Sequence, residues 1–107
     1  MGTVPTLSTL EDLDEALTSD KPVLVDFTAA WCGPCQQMKP VFAQICEEMV
    51  DQLDVYALDI DENQAGAQRF DIRGVPTFIV FEEGEELLRV TGAVPPADLR
   101  ARIAEVI

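Results

Sequence analysis

Val23-Leu24-Val25-Asp26-Phe27, then Thr28-Ala29-Ala30, then Trp31-Cys32-Gly33-Pro34-Cys35 is the stretch on which the fold turns. The first segment is an apolar run of strand length, interrupted only by Asp26. Continuous apolarity of this kind belongs to a central strand covered on both faces. From the cysteines to about Val50 the pattern changes, and Met38, Phe42, Ile45 and Met49 recur at helical spacing. A strand feeding a helix through this turn places both sulfurs at the helix N-terminus. Free backbone N–H groups and the helix dipole there favour negative charge. The thiolate is the form that attacks disulfides, so the placement arms the first thiol by lowering its pKa. Pro34 suits a first helical turn, where no N–H is required. Gly33 is expected to keep bulk away from the sulfurs.

The rest of the chain extends this alternation. Ser8 and Glu11 have capping-box spacing, and Leu10, Leu13 and Leu17 mark one face of a first helix ending near Ser19-Asp20. Pro40 lies inside the second helix and is expected to kink it. Val55 to Ile60 reads as a strand and Glu62 to Phe70 as a short helix. Thr77 to Phe81 and Leu87 to Thr91 read as strands about a hairpin carrying Gly84. Pro96 sits just inside a last helix whose apolar face is Leu99, Ile103 and Val106. This order predicts an α/β fold with a mixed sheet.

Composition narrows the chemistry. A chain of 107 residues is one domain by length, and 48% hydrophobic residues suffice for a core. A net charge of −13 would be repelled by a nucleic-acid backbone. No apolar run approaches a membrane span. Met1 to Thr6 lacks the regions of a signal peptide, which predicts a cytoplasmic address, where thiols stay reduced. Met1-Gly2 followed by Thr6 also fits a short myristoylation pattern, a minor reading. The absence of histidine excludes Ser-His-Asp and Cys-His nucleophile machinery. Three cysteines suit a redox pair plus one spare thiol better than a disulfide framework. A zinc half-site is the alternative use of Cys32 and Cys35, but no second pair exists to complete it, and no metal is expected. Cys46 shares an apolar face with Phe42 and Met49. It stands eleven residues beyond Cys35, about 16 Å of helical rise, too far for a bridge, and reads as a buried core thiol. Glu82-Glu83-Gly84-Glu85-Glu86 reads as a solvated hairpin tip, or as a mark of a salt-rich cytoplasm.

Trp31-Cys32-Gly33-Pro34-Cys35 resembles the thioredoxin family, and the likeness covers nearly the whole chain. It includes Val25-Asp26-Phe27, Pro40, Asp59-Ile60-Asp61, Ile72-Arg73-Gly74-Val75-Pro76-Thr77, Gly84 and Gly92-Ala93 in the family's order. The resemblance implies a single thioredoxin domain over 1–107. Its central mixed five-stranded sheet would be flanked by four helices, with a first strand near Val4 to Leu7 at the sheet edge. It implies a protein-disulfide reductase in which Cys32 attacks, Cys35 resolves the mixed disulfide and Asp26 takes the proton from Cys35. Trp31, Gly33, Pro34, Gly74, Val75, Pro76, Gly92 and Ala93 would form an apolar docking patch, with a cis Val75-Pro76 bond packed on the thiols. No cofactor would be bound. Electrons would come from NADPH through a flavin-containing thioredoxin reductase, and the other partners would be disulfide-containing protein substrates of a monomeric chain. A disulfide oxidase or isomerase and a non-catalytic binding module are the competing functions. Two positions depart from the family. Ala57 stands where a lysine usually lies near the buried aspartate, which removes a cation that would hold Asp26 ionised. Thr28 stands where close relatives usually place a tryptophan.

Overall fold

The computed structural model describes residues 4–107, so the Met1-Gly2 part of the myristoylation pattern lies outside the described residues. Eight elements follow in order. They are α1 (Leu10–Ala16), β1 (Val23–Thr28), α2 (Gly33–Glu48), β2 (Asp54–Asp59), α3 (Gln64–Arg69), β3 (Thr77–Glu82), β4 (Glu85–Thr91) and α4 (Pro96–Val106). The sheet order is β2-β1-β3-β4. β1 runs parallel to β2 and antiparallel to β3, and β3 pairs antiparallel with β4. The sheet is therefore mixed, as the element order predicts.

The expected fifth strand is not formed; the sheet has four strands, and the Val4 to Leu7 segment adds one parallel bridge, Thr6 to Ala57. That bridge rests on Leu7 N–H to Ala57 O at 2.8 Å and Ala57 N–H to Pro5 O at 2.9 Å. The next ladder bond toward the N-terminus would need an N–H on residue 5, and proline has none. In the other direction the groups are already occupied. Leu7 O accepts from Asn63 Nδ2 at 3.0 Å, and Thr9 N–H donates to the Asp12 carboxylate.

That last bond also moves the first helix cap. Thr9 and Asp12, rather than Ser8 and Glu11, form the capping box, with Asp12 N–H donating to Thr9 Oγ1 at 3.0 Å. Both pairs have the required spacing. Starting the helix at Leu10 turns Leu13, Ala16 and Leu17 inward and leaves Leu10 only partly buried.

Alternation along β1 sorts the interior into two layers. Val23, Val25 and Phe27 join Leu13, Leu58, Ile79 and Phe81 on the α1 and α3 side. Leu24 joins Met38, Phe42, Ile45, Phe78, Leu99 and Ile103 under α2 and α4. Full burial of rings such as Phe27, Phe78 and Phe81 contributes about 1.5–3 kcal/mol each. Asp26 and Thr28 follow Leu24 in the alternation, so they stand on the α2 side. The strand register sets Asp26 between Ala57 and Phe78, two neighbours without charge. The β3–β4 hairpin turns on Glu83 (φ 53°) and Gly84 (φ 80°), the paired left-handed conformations of a two-residue loop.

Candidate active site

Cys32 is the N-cap residue of α2, and Pro34 occupies the first turn. Cys32 and Cys35 are joined as a disulfide, with their Cα atoms 5.2 Å apart, an ordinary span for such a bond. The Cys35 backbone N–H donates to Cys32 Sγ at 3.1 Å. The sulfur thus takes the capping position that a serine or aspartate oxygen holds in other helices. A negative charge on Cys32 would meet this donor and the positive end of the dipole of a 16-residue helix. Both sulfurs are recessed, with Cys32 5% and Cys35 1% exposed. The outer thiol is the one preceding the helix, as the sequence order suggests.

The segment before β3 faces the pair. Val75 O lies 3.7 Å from Cys32 Sγ, and the Val75-Pro76 peptide bond is cis. Thr77 Oγ1 donates to Gly74 O at 2.6 Å, and Gly92 N–H donates to Pro76 O at 2.7 Å. Gly92 makes that bond at φ +93°, a conformation that favours glycine. Gly74, Val75, Pro76 and Gly92 are therefore gathered beside Cys32, and Ala93 continues the same rim as an exposed residue. Gly33 and Pro34 are exposed on the first turn of α2. A Cβ added at Gly33 would meet no atom within 4 Å beyond its own chain neighbours.

Trp31 is 68% exposed, and its indole N–H donates to Asp61 Oδ2 at 2.7 Å. Asp61, quoted above only within the family likeness, is the partner that the fold brings to Trp31. Its partner lies thirty positions away, and only the parallel pairing of β1 with β2 brings the ends of those strands together. Its carboxylate brings a formal negative charge to the Trp31 side chain.

Asp26 is 3% exposed, and its carboxyl is pushed up to about 7, chiefly by desolvation, while Lys39 pulls in the opposite direction. Desolvation is the main cause, as expected with no lysine at position 57. Ala57 supplies no cation, but Lys39 on α2 does. Lys39 follows Cys35 by four residues and so lies on the same side of the helix. Asp26 and Thr28 open on a cleft of about 360 Å³ that Lys39 also lines. Asp26 Oδ1 and Thr28 Oγ1 are buried without a hydrogen-bond partner among the described residues. Cys46 is half-buried rather than fully enclosed, and desolvation pushes its thiol up to about 11. Among the described residues no group of acidic or thiol side chains is arranged to hold a metal ion.

The thioredoxin family profile matches residues 4–105. The thioredoxin of Alicyclobacillus acidocaldarius subsp. acidocaldarius is 42% identical over 96 residues, which span 90% of this chain and 91% of that protein. A bifunctional thioredoxin reductase/thioredoxin of Mycobacterium leprae is 42% identical over 93 residues, 87% of this chain and 20% of the larger protein. The crystal structure of Malassezia sympodialis thioredoxin superposes with a TM-score of 0.90 at 36% identity, covering 99% of this chain and 92% of that one. The match in sequence and fold, together with a Cys-Gly-Pro-Cys pair at bonding distance, leads to one assignment. The chain belongs to the thioredoxin family of dithiol–disulfide oxidoreductases.

Proposed function

We propose that the chain acts as a single thioredoxin domain that reduces disulfides in other proteins, with Cys32 as nucleophile and Cys35 as resolving thiol. The single observation that carries the reading is Cys32 Sγ seated at the α2 N-cap with the Cys35 N–H 3.1 Å away. In the reduced protein the Cys32 thiolate attacks one sulfur of a substrate disulfide. A Cys32–substrate bond forms, and the other substrate sulfur leaves as a thiolate that takes up a proton. Cys35 then loses its proton to Asp26, and its thiolate attacks Cys32 Sγ. The Cys32–Cys35 bond forms, the second substrate thiol departs, and two electrons have passed to the substrate. A carboxyl held near 7 is suited to accept that proton at neutral pH.

Trp31, Gly33, Pro34, Gly74, Val75, Pro76, Gly92 and Ala93 form the docking face in this reading. The exposed indole, held by Asp61, supplies its largest apolar surface. The reductase that restores the dithiol is a thioredoxin reductase passing electrons from NADPH through a flavin. The Mycobacterium leprae relative, which is named as a reductase and a thioredoxin in one, supports this pairing. The protein works as a cytoplasmic monomer; no helix among the described residues is long and apolar enough to cross a membrane.

Mixing the reduced Cys35→Ser variant with a disulfide-closed peptide tests the assignment. Mass spectrometry is expected to find one peptide bound covalently at Cys32. Recovery of the adduct at Cys46, or no adduct, would overturn it.

A further inference from the structure

We propose that Arg89, on the edge strand β4, is a positioning residue for substrate docking: it caps the end of α3 from across the fold and so fixes the path of the chain into Gly74-Val75-Pro76. This rests on the reading of that segment as part of the docking face. Helix α3 closes on Phe70, and Asp71 follows in the left-handed conformation, φ 54°. Asp71 N–H donates to Gln68 O at 3.1 Å, and Ile72 N–H donates to Ala67 O at 3.0 Å. These two bonds make a Schellman closure, whose left-handed position usually belongs to glycine. An aspartate there carries a conformational cost, so its surroundings must hold the turn in shape. The hold comes from β4. Arg89 Nη2 donates to Phe70 O at 2.7 Å, and Nη1 donates to Asp71 O at 3.5 Å. Carbonyls at the end of a helix have no partner within it, and one guanidinium reaches both.

The guanidinium is itself aimed. Its Nε and Nη2 donate to the Glu86 carboxylate at 3.0 and 2.8 Å, a two-point charged pair. Residues three apart in a regular strand face opposite sides of the sheet. The ladder irregularity in β4 removes that obstacle. Phe81 pairs with Glu86 while Val80 pairs with Leu88, which leaves Leu87 as the extra residue. Ile79 and Phe81 face α1 and α3, and their partners Arg89 and Glu86 stand on that same side. Arg73 is the other cation on the turn, and its Nε donates to the Asp71 carboxylate at 3.1 and 3.2 Å. It bonds the side chain rather than the backbone, and it is largely exposed, so it does not replace Arg89. At the far end of the segment, Gly92 N–H donates to Pro76 O. Residues of β4 and just beyond it therefore grip both ends of the stretch that sets Val75 O opposite Cys32 Sγ.

Steady-state reduction of an uncharged, disulfide-closed peptide tests this in the parent, Arg89→Met, Arg89→Lys and the Arg89→Met/Asp71→Gly double variant. Arg89→Met is expected to raise KM about two- to fivefold with kcat nearly unchanged, because docking is weakened and the thiols are untouched. Arg89→Lys should recover only part of the loss, since an ammonium cannot bond both carbonyls and Glu86 in the fork geometry. Adding Asp71→Gly to Arg89→Met should return KM to the parent's value, because glycine holds the left-handed turn without the arginine. Hydrogen exchange of the Ile72 amide, which closes the turn, should quicken about tenfold in Arg89→Met and slow again in the double variant. The amides of Val25 and Phe27 in β1 should stay protected throughout. Unchanged exchange at Ile72 in Arg89→Met, or no recovery of KM on adding Asp71→Gly, would overturn the proposal. Faster exchange at Ile72 with an unmoved KM would show a turn anchored by Arg89 that docks nothing. The reading of Gly74-Val75-Pro76 as a docking face would then fall, and the proposal with it.

Discussion

The two ends of α2 carry thiols that the fold treats in opposite ways. Cys32 sits at the N-terminal cap, recessed but facing a backbone N–H and the positive end of the helix. Cys46 sits near the C-terminal end, more open to solvent, yet its thiol is pushed up to about 11. Exposure alone would rank them the wrong way round. What separates them is the direction of the helix. The first turn presents unpaired N–H donors to a sulfur, whereas at Cys46 the nearby Asp26 and Glu47 carboxylates add repulsion to desolvation.

The largest effect that could break this contrast comes from exchanging the two thiols one at a time. Cys32→Ser is expected to lower the rate of peptide disulfide reduction by about a thousandfold or more, since the nucleophile is lost. Cys46→Ser should stay within about twofold of the parent, as expected for a group outside the exchange. A steady-state assay on both variants settles the matter. A strong loss in Cys46→Ser would join the two regions rather than separate them.

A second test concerns the acid that serves the N-terminal end. The Asp26 carboxyl, ordinarily near 3.8, lies at about 7 in the folded chain. The native state therefore keeps a proton that the unfolded state releases between those values. Stability contributed by this group is full below the unfolded value, falls as pH rises toward about 7, and stays low above it. Asp26→Asn should remove that dependence and stabilise the protein by up to about 4 kcal/mol at pH 8, while slowing exchange. Denaturant unfolding at pH 4 and pH 8 checks the sign. A variant less stable than the parent at pH 8 would show that desolvation does not dominate.

Smaller effects sharpen the picture around Cys32. Asp61→Ala removes the acceptor of the Trp31 indole N–H and is expected to raise KM about two- to fivefold, with kcat nearly unchanged, as uniform binding is weakened. Gly33→Ala should change rate and stability least, within about 0.5 kcal/mol, because the added methyl meets nothing within 4 Å. A large loss there would mean that the docking partner, not the folded chain, requires glycine.

Much of this was legible in the sequence because the deciding features are local. An apolar strand, a Cys-Gly-Pro-Cys turn and a helix-spaced apolar face are enough to place the thiols at a helix N-terminus. Asp26 stood out as a carboxyl in an apolar strand, and burial follows from that alone. Where the reading fell short, the determinants were competitive or distant. The edge strand reduces to one bridge because Pro5 lacks a donor, while Asn63 and Asp12 capture the groups that would extend it. The capping box moved by one residue because two pairs had equal spacing and the burial of Leu13, Ala16 and Leu17 chose between them. Asp61 reaches Trp31 only through the sheet. The bearing of Lys39 on Asp26 depends on a cleft that no local pattern encodes.

Competitive alkylation tests the contrast between the two ends of α2 most directly. The fully reduced chain is treated with limiting iodoacetamide from pH 5 to 11, and each cysteine is quantified by peptide mass spectrometry. Cys32 should be labelled first and at the lowest pH, with half-maximal labelling well below the free-thiol value of about 8.5. Labelling of Cys46 should rise only toward the region of about 11 to which burial pushes it. Labelling of Cys46 or Cys35 ahead of Cys32 at neutral pH would contradict the assignment of the helix N-terminus as the source of reactivity.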